Sequence, residues 1–282
     1  MAPPRFPNGM SLYTIGFAAL RYPALPPPPV DVPLTNQMQE PEEQNHMIAQ
    51  IASQYLESLL SYQTSNEPTL HDPSLPQYYF STAICLLNLL NTNPDVCKRI
   101  AAHPALVNNV IEKLLAPDFV DKMKGAPRPG GAHFPAATFE EDFGSVLQFL
   151  STMLLYKDQI PLPHPRIQEL IPKLRTWKQT YRSSSVKTIS NASERLIQQI
   201  DGSMSPTMVA MMRSMQDESL VCGVASCGVQ GRTDLTPCGG CKIQRYCGSE
   251  HQRADWKYHK HICNKGLQGP AENSPVAPEE TS

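Results

Sequence analysis

No stretch of the 282-residue chain approaches the ~18 consecutive apolar residues that a membrane-spanning helix needs. Nor is there an excess of one charge: 24 Lys and Arg stand against 26 Asp and Glu, a formal net charge of −2. The first absence excludes a helical membrane span, and the second excludes a global field drawing the chain to nucleic acid or an anionic membrane. Any such role must be local. Enzyme signatures are also missing, since neither a nucleophile elbow nor a glycine-rich phosphate loop occurs. His71, His103, His133 and His164 stand beside proline-rich turns and read as exposed loop residues. A secretory leader is poorly formed: Ser11 to Leu20 follows a single Arg5, and Gly16 and flanking prolines interrupt it. These absences predict a non-enzymatic protein of the cytoplasm or nucleus.

What is present begins with proline. The 28 prolines are roughly twice the ordinary share of about 5%, and nine fall in residues 1–38, including Pro26 to Pro29. That composition favours extended polyproline conformation and predicts a flexible arm. The pattern then changes. Met47/Ile48, Ile51/Ala52, Tyr55/Leu56 and Leu59/Leu60 recur every four residues between Glu40 and Tyr62, which places them on one stripe of an amphipathic helix. Gln77 to Leu90 is apolar nearly all round and predicts a helix enclosed by others. Asn93 is placed to cap a short helix opened by Pro94, and Pro104 to open a longer one carrying Leu106, Val107, Val110, Ile111, Leu114 and Leu115. After a Gly/Pro-rich break at Gly125 to Pro135, helical patterns follow at Phe139 to Tyr156, at Arg166 to Tyr181 with Pro172 as an interruption, and at Val186 to Ile200. No alternating strand pattern precedes residue 215. Asn91 to Leu115, a short helix, a turn and a longer helix, resembles one armadillo-type repeat.

Chemistry concentrates at the carboxy-terminal end. Of eight cysteines, Cys85 and Cys97 sit in apolar helical surroundings, while the other six crowd into the 42 residues from Cys222 to Cys263 together with three histidines. Disulfides make no use of histidine, so this mixture points to metal. Two four-coordinate zinc sites need eight ligands, leaving one histidine over. Cys247 and His251 are four residues apart, as are His259 and Cys263, a spacing that on a helix brings both side chains to one face. His259 is therefore favoured over His261, which points elsewhere. Cys238-Gly239-Gly240-Cys241 reads as a tight knuckle whose glycines supply the positive φ of the turn. Cys222 and Cys227, with four residues between them, are wider than a knuckle but within the range of a first ligand pair.

With Tyr246, Gln252 and Trp256, these residues resemble the MYND-type zinc finger: two cysteine pairs, a Tyr-Cys, a ligand before Gln, a Trp-x-x-His and a last cysteine. One departure is His251, where the family usually has cysteine. The resemblance implies interleaved sites, Cys222, Cys227, Cys247 and His251 holding one ion and Cys238, Cys241, His259 and Cys263 the other. Eight ligands for two ions leave no open position for water, so the zinc is expected to be structural. A module this short buries too little apolar surface to fold unaided, and the ions are expected to supply about 10–16 kcal/mol per site. Counting the thiolates, the segment carries about one net positive charge, too little for strong phosphate-backbone binding.

Family resemblance also implies a function, binding of proline-rich Pro-x-Leu-x-Pro peptides, with Trp256 as an apolar wall and Gln252 as a hydrogen-bonding anchor. The alternative for Trp256 is packing within the finger, and Tyr246 reads as core. The chain contains its own match, Pro23-Ala24-Leu25-Pro26-Pro27, which becomes a candidate occupant of the finger. Some MYND-containing proteins carry a lysine-methyltransferase domain, but its cofactor motifs are missing and Asn45-His46 lacks their context. The expected architecture is mainly α: a proline-rich arm (1–38), a helical bundle or armadillo-like helical repeats (39–215), a two-zinc MYND-type finger (220–264) and a flexible tail (265–282). The expected role is a protein-interaction adaptor. Other readings are a ubiquitin-ligase adaptor or component, and a DNA-binding regulator that the weak charge argues against.

Overall fold

The computed structural model describes residues 41–66, 68–72, 74, 80–126, 138–161 and 164–263. The arm (1–38) with its Pro23 to Pro27 segment, His133 and most of the Gly/Pro-rich break, and the tail (265–282) lie outside these.

The described chain is mainly α. Helices α1 (Pro41–Gln63), α2 (Pro68–His71), α3 (Phe80–Leu90), α4 (Pro94–Ala101), α5 (Pro104–Leu115), α6 (Phe119–Gly125), α7 (Phe139–Leu154), α8 (Leu170–Thr180) and α9 (Thr188–Asp201) build the body. Helix α10 (Pro206–Glu218) leads to a small region with a two-stranded antiparallel ribbon, β1 (Thr236–Pro237) and β2 (Arg245–Tyr246), and a last helix, α11 (Ser249–His259).

Local chemistry sets the boundaries. Asn93 Oδ1 accepts from the N–H groups of Asp95 and Val96, at 2.9 and 3.3 Å, and Pro94 fills the first position of α4, where no N–H is needed. The Thr138 hydroxyl and the Glu141 carboxylate cap α7 reciprocally. Gly202, at φ 82°, ends α9 in the left-handed conformation that glycine adopts without a Cβ penalty. Pro172 does not interrupt its helix as expected. It is the third residue of α8, in the turn whose N–H groups have no intrahelical acceptor. Helix α4, the turn and α5 have the short-then-long form of the repeat that the sequence resembles.

The core is centred on α7, which packs against α3, α4, α5, α6 and α9. Phe143 is its hub, with Trp177 edge-on at 5.0 Å between ring centroids and Phe139 stacked at 5.5 Å. His164 corrects the exposed-loop reading: it is buried, with Nε2 2.7 Å from Glu112 Oε1 and Nδ1 accepting from the Arg166 N–H. Carboxylate and amide partners explain how a loop imidazole is buried without penalty. His103 is half-buried at the start of α5, and His71 is exposed.

Helix α1 also departs from a single stripe. Its predicted apolar positions are buried, but so are Ala49 and Ser53 on a second face. The carboxy-terminal region supplies that second cover.

Candidate metal centre

Three short segments and one helix bring the sulfur and imidazole groups together. Cys222 N–H donates to Val229 O at 3.1 Å, closing the first loop, and Cys222 forms a parallel bridge with Arg245. The knuckle is closed by Lys242 N–H to Cys238 O at 3.1 Å and by Cys238 N–H to Gln244 O at 2.7 Å. Its left-handed residue is Lys242, at φ 61°, and neither Gly239 nor Gly240 has a positive φ. The positive φ expected at the knuckle's glycines thus falls one residue after it, on the residue that turns the chain into β2. Helix α11 carries His251 and His259. Cys247 precedes the helix and Cys263 follows it, so only one member of each pair is helical. The pairs still converge because the flanking turns keep helical spacing, with Gln252 N–H on Gly248 O and Cys263 N–H on His259 O at 3.1 and 2.8 Å.

Two clusters result, Cys222, Cys227, Cys247 and His251, and Cys238, Cys241, His259 and Cys263, each with its donor atoms within 4.8 Å of one another. This is the interleaved grouping implied by the family resemblance, and His261, exposed, belongs to neither. In the first, Cys247 Sγ lies 3.9 Å from Cys222 Sγ, 3.5 Å from Cys227 Sγ and 3.1 Å from His251 Nδ1. In the second, Cys238 Sγ is 3.9 Å from Cys263 Sγ, and Cys241 Sγ is 3.5 Å from His259 Nε2. A tetrahedral zinc with bonds of ~2.3 Å to sulfur and ~2.0–2.1 Å to nitrogen has edges of about 3.8 Å between sulfurs and about 3.5 Å from sulfur to nitrogen. Spacings of this size fit an ion at each centre. They are far too long for disulfides, and all eight cysteines are free.

Electrostatics agrees. Without a cation two of the thiols are held in the neutral form: the hydrogen-bonded Cys227 pushes the Cys247 thiol up to about 11, and burial, with Cys241 and Cys238 adding to it, pushes Cys263 up to about 12, whereas at Cys227 burial is outweighed by hydrogen bonds from the Val229 backbone, Cys247 and Cys222, which lower that thiol. Burial raises the Cys241 thiol, opposed by hydrogen bonds from Ser53 and from the backbone at Gln244 and Ile243. Burial lowers His259, favouring the neutral imidazole that ligates metal. A dication at each centre favours the thiolates, and the donor set of three sulfurs and one nitrogen is that of a closed, structural zinc site. Two structural zinc ions therefore belong to this region.

Tyr246 packs between the centres as expected of a core residue, donating its hydroxyl to Asp255 Oδ2 at 2.7 Å. Trp256 is 40% exposed on α11, its ring 6.0 Å from that of His259. Gln252, one turn earlier, directs its amide nitrogen toward Cys238 Sγ at 3.9 Å.

Contacts to the helical body escaped the sequence reading. Arg245 donates to Asp95 through Nε and Nη2, at 2.6 and 3.1 Å, and to Leu235 O at 2.7 Å. Arg232 Nη2 reaches the same carboxylate at 2.9 Å, and its Nε pairs with Asp217. Gln230 bonds Glu42 at the start of α1, and Ser53 in mid-α1 donates to Cys241 Sγ at 3.5 Å. Sequence separations of 137 to 188 residues leave no local signal for the contacts to Asp95, Glu42 and Ser53.

Residues 222–263 match the family model of the MYND finger. The chain is 30% identical to Protein CBFA2T2 of Xenopus laevis over 169 residues, 56% of this chain and 28% of that protein. It is 42% identical to Egl nine homolog 1 of Mus musculus over 53 residues, 18% of this chain and 13% of that protein, and 40% identical to Protein CBFA2T2 of Mus musculus over 53 residues, 19% and 9%. The chain thus spans less than a third of the length of each of these relatives. No solved structure gives a significant match. Donor geometry and family match agree: residues 222–263 of this chain are a MYND finger.

Proposed function

We propose that this protein is a non-enzymatic interaction adaptor whose MYND finger binds proline-rich segments of the form Pro-x-Leu-x-Pro. The eight clustered side chains serve as the ligands of the two zinc ions, and with four donors per ion no coordination position is left for a substrate or a reactive water. The observation that carries the peptide reading is the exposure of Trp256. An indole that only packed the finger would be covered; this one presents a face on α11 with Gln252 one turn away on the same side. An extended proline segment loses little entropy on binding and suits such an aromatic wall. Eight cysteines, none in a disulfide, fit the reducing cytoplasm or nucleus.

Calorimetric titration with a Pro-x-Leu-x-Pro peptide tests this. Trp256→Ala is expected to weaken binding about 30-fold, the loss of a ~2 kcal/mol hot spot, with zinc content unchanged. Equal affinity in the variant assigns Trp256 to packing and overturns the reading. The same titration on a chain lacking residues 1–35 reads whether Pro23 to Pro27 occupies the finger, since removing an internal competitor raises the apparent affinity.

A further inference from the structure

We propose that the metal centre does not end at the finger: the helical body supplies Ser53, which positions the Cys241 thiolate of the second site, and Asp95, which fixes the strand between the two sites. Ser53 is fully buried in mid-α1, on the face covered by the finger. Its one hydroxyl hydrogen has two acceptors, Ala49 O at 2.7 Å and Cys241 Sγ at 3.5 Å. The zinc-bound thiolate carries charge, and charge-assisted hydrogen bonds are roughly twice as strong as neutral ones, so loading of the site draws the hydrogen toward sulfur. Groups that hydrogen-bond to ligands in this way orient them and tune their hold on the metal.

Asp95 acts at the next remove. It lies in the first turn of α4, where the helix dipole favours a carboxylate, and it takes Arg245 in a two-point grip within a buried pair. Arg245 stands in β2 between the ligands Cys241 and Cys247, and its carbonyl accepts from Gly223, next to Cys222. A body residue therefore holds the one strand that links both sites, while Ser53 touches only the second. That asymmetry makes the roles separable.

Transfer of zinc from the full chain to a chromophoric chelator tests the proposal, alongside the sulfur-to-metal charge-transfer bands of the cobalt(II)-substituted chain. Ser53→Ala is expected to speed release of one of the two ions about tenfold or more, the usual scale for such a partner, and to shift the bands of one site. The other ion keeps its rate. In an Asp95→Asn background, where the finger is held less firmly, both ions leave faster and Ser53→Ala adds little. Unchanged release from Ser53→Ala, or equal acceleration of both ions with unaltered cobalt bands, would overturn the proposal and leave Ser53 a packing residue.

Discussion

At the scale of single residues, the finger is constrained by contacts as well as by ligands. Gly223 follows the first ligand, and a Cβ built there would stand 2.5 Å from Tyr246 Cε1 and 2.8 Å from Gln244 Nε2. The Tyr246 ring cannot yield, because it is buried and its hydroxyl is tied to Asp255. Gly223→Ala is therefore expected to destabilise the zinc-loaded chain by about 1–3 kcal/mol, the cost of overpacking, read as a lower midpoint in urea. An unchanged midpoint would show that the loop moves freely. The two clusters of cysteine and histidine were legible in the sequence because these residues at these spacings have few other uses. Residues whose role depends on distant partners were not. His164 stands beside prolines like any loop histidine, and only Glu112, brought close by the fold, makes it a buried one. The Gly-Gly of the knuckle misled for the opposite reason: a local rule pointed to glycine, while the turn placed its left-handed residue at Lys242.

At the scale of elements, α1 shows why periodicity alone read half of the helix. A four-residue repeat identifies the face toward the helical core, but Ala49 and Ser53 lie outside it and look solvent-facing until the finger covers them. Helix α4 is small, yet Asp95 in its first turn anchors two arginines of the finger. Removing one partner of a buried ion pair leaves the other charge without compensation, typically at about 3–5 kcal/mol. Asp95→Ala is expected to lose stability on that scale in urea denaturation, whereas Asp121→Ala, at an exposed position, should leave the midpoint nearly unchanged. Equal, small effects would mean that the finger rests on the body without being held. Capping and proline chemistry placed the starts of α4 and α5, since those signals act within a turn of where they are written. Helix α10, capped by Ser205, exposes Met208, Met211 and Met215.

At the scale of the whole molecule, body and finger share a boundary of ion pairs, hydrogen bonds and buried helix surface. The 169-residue similarity to Protein CBFA2T2 of Xenopus laevis is longer than the finger itself, so the relationship extends into the helices. A mainly helical body followed by a zinc module was legible from composition and patterning; their mutual contact was not, because it joins residues more than a hundred positions apart. Two closed metal sites give the finger its shape. Native mass spectrometry of the full chain, purified without chelator, measures this most directly. Two zinc ions per polypeptide are predicted, both lost together with the finger's fold on chelation; a chain that carries none or one, while keeping that fold, would contradict the account.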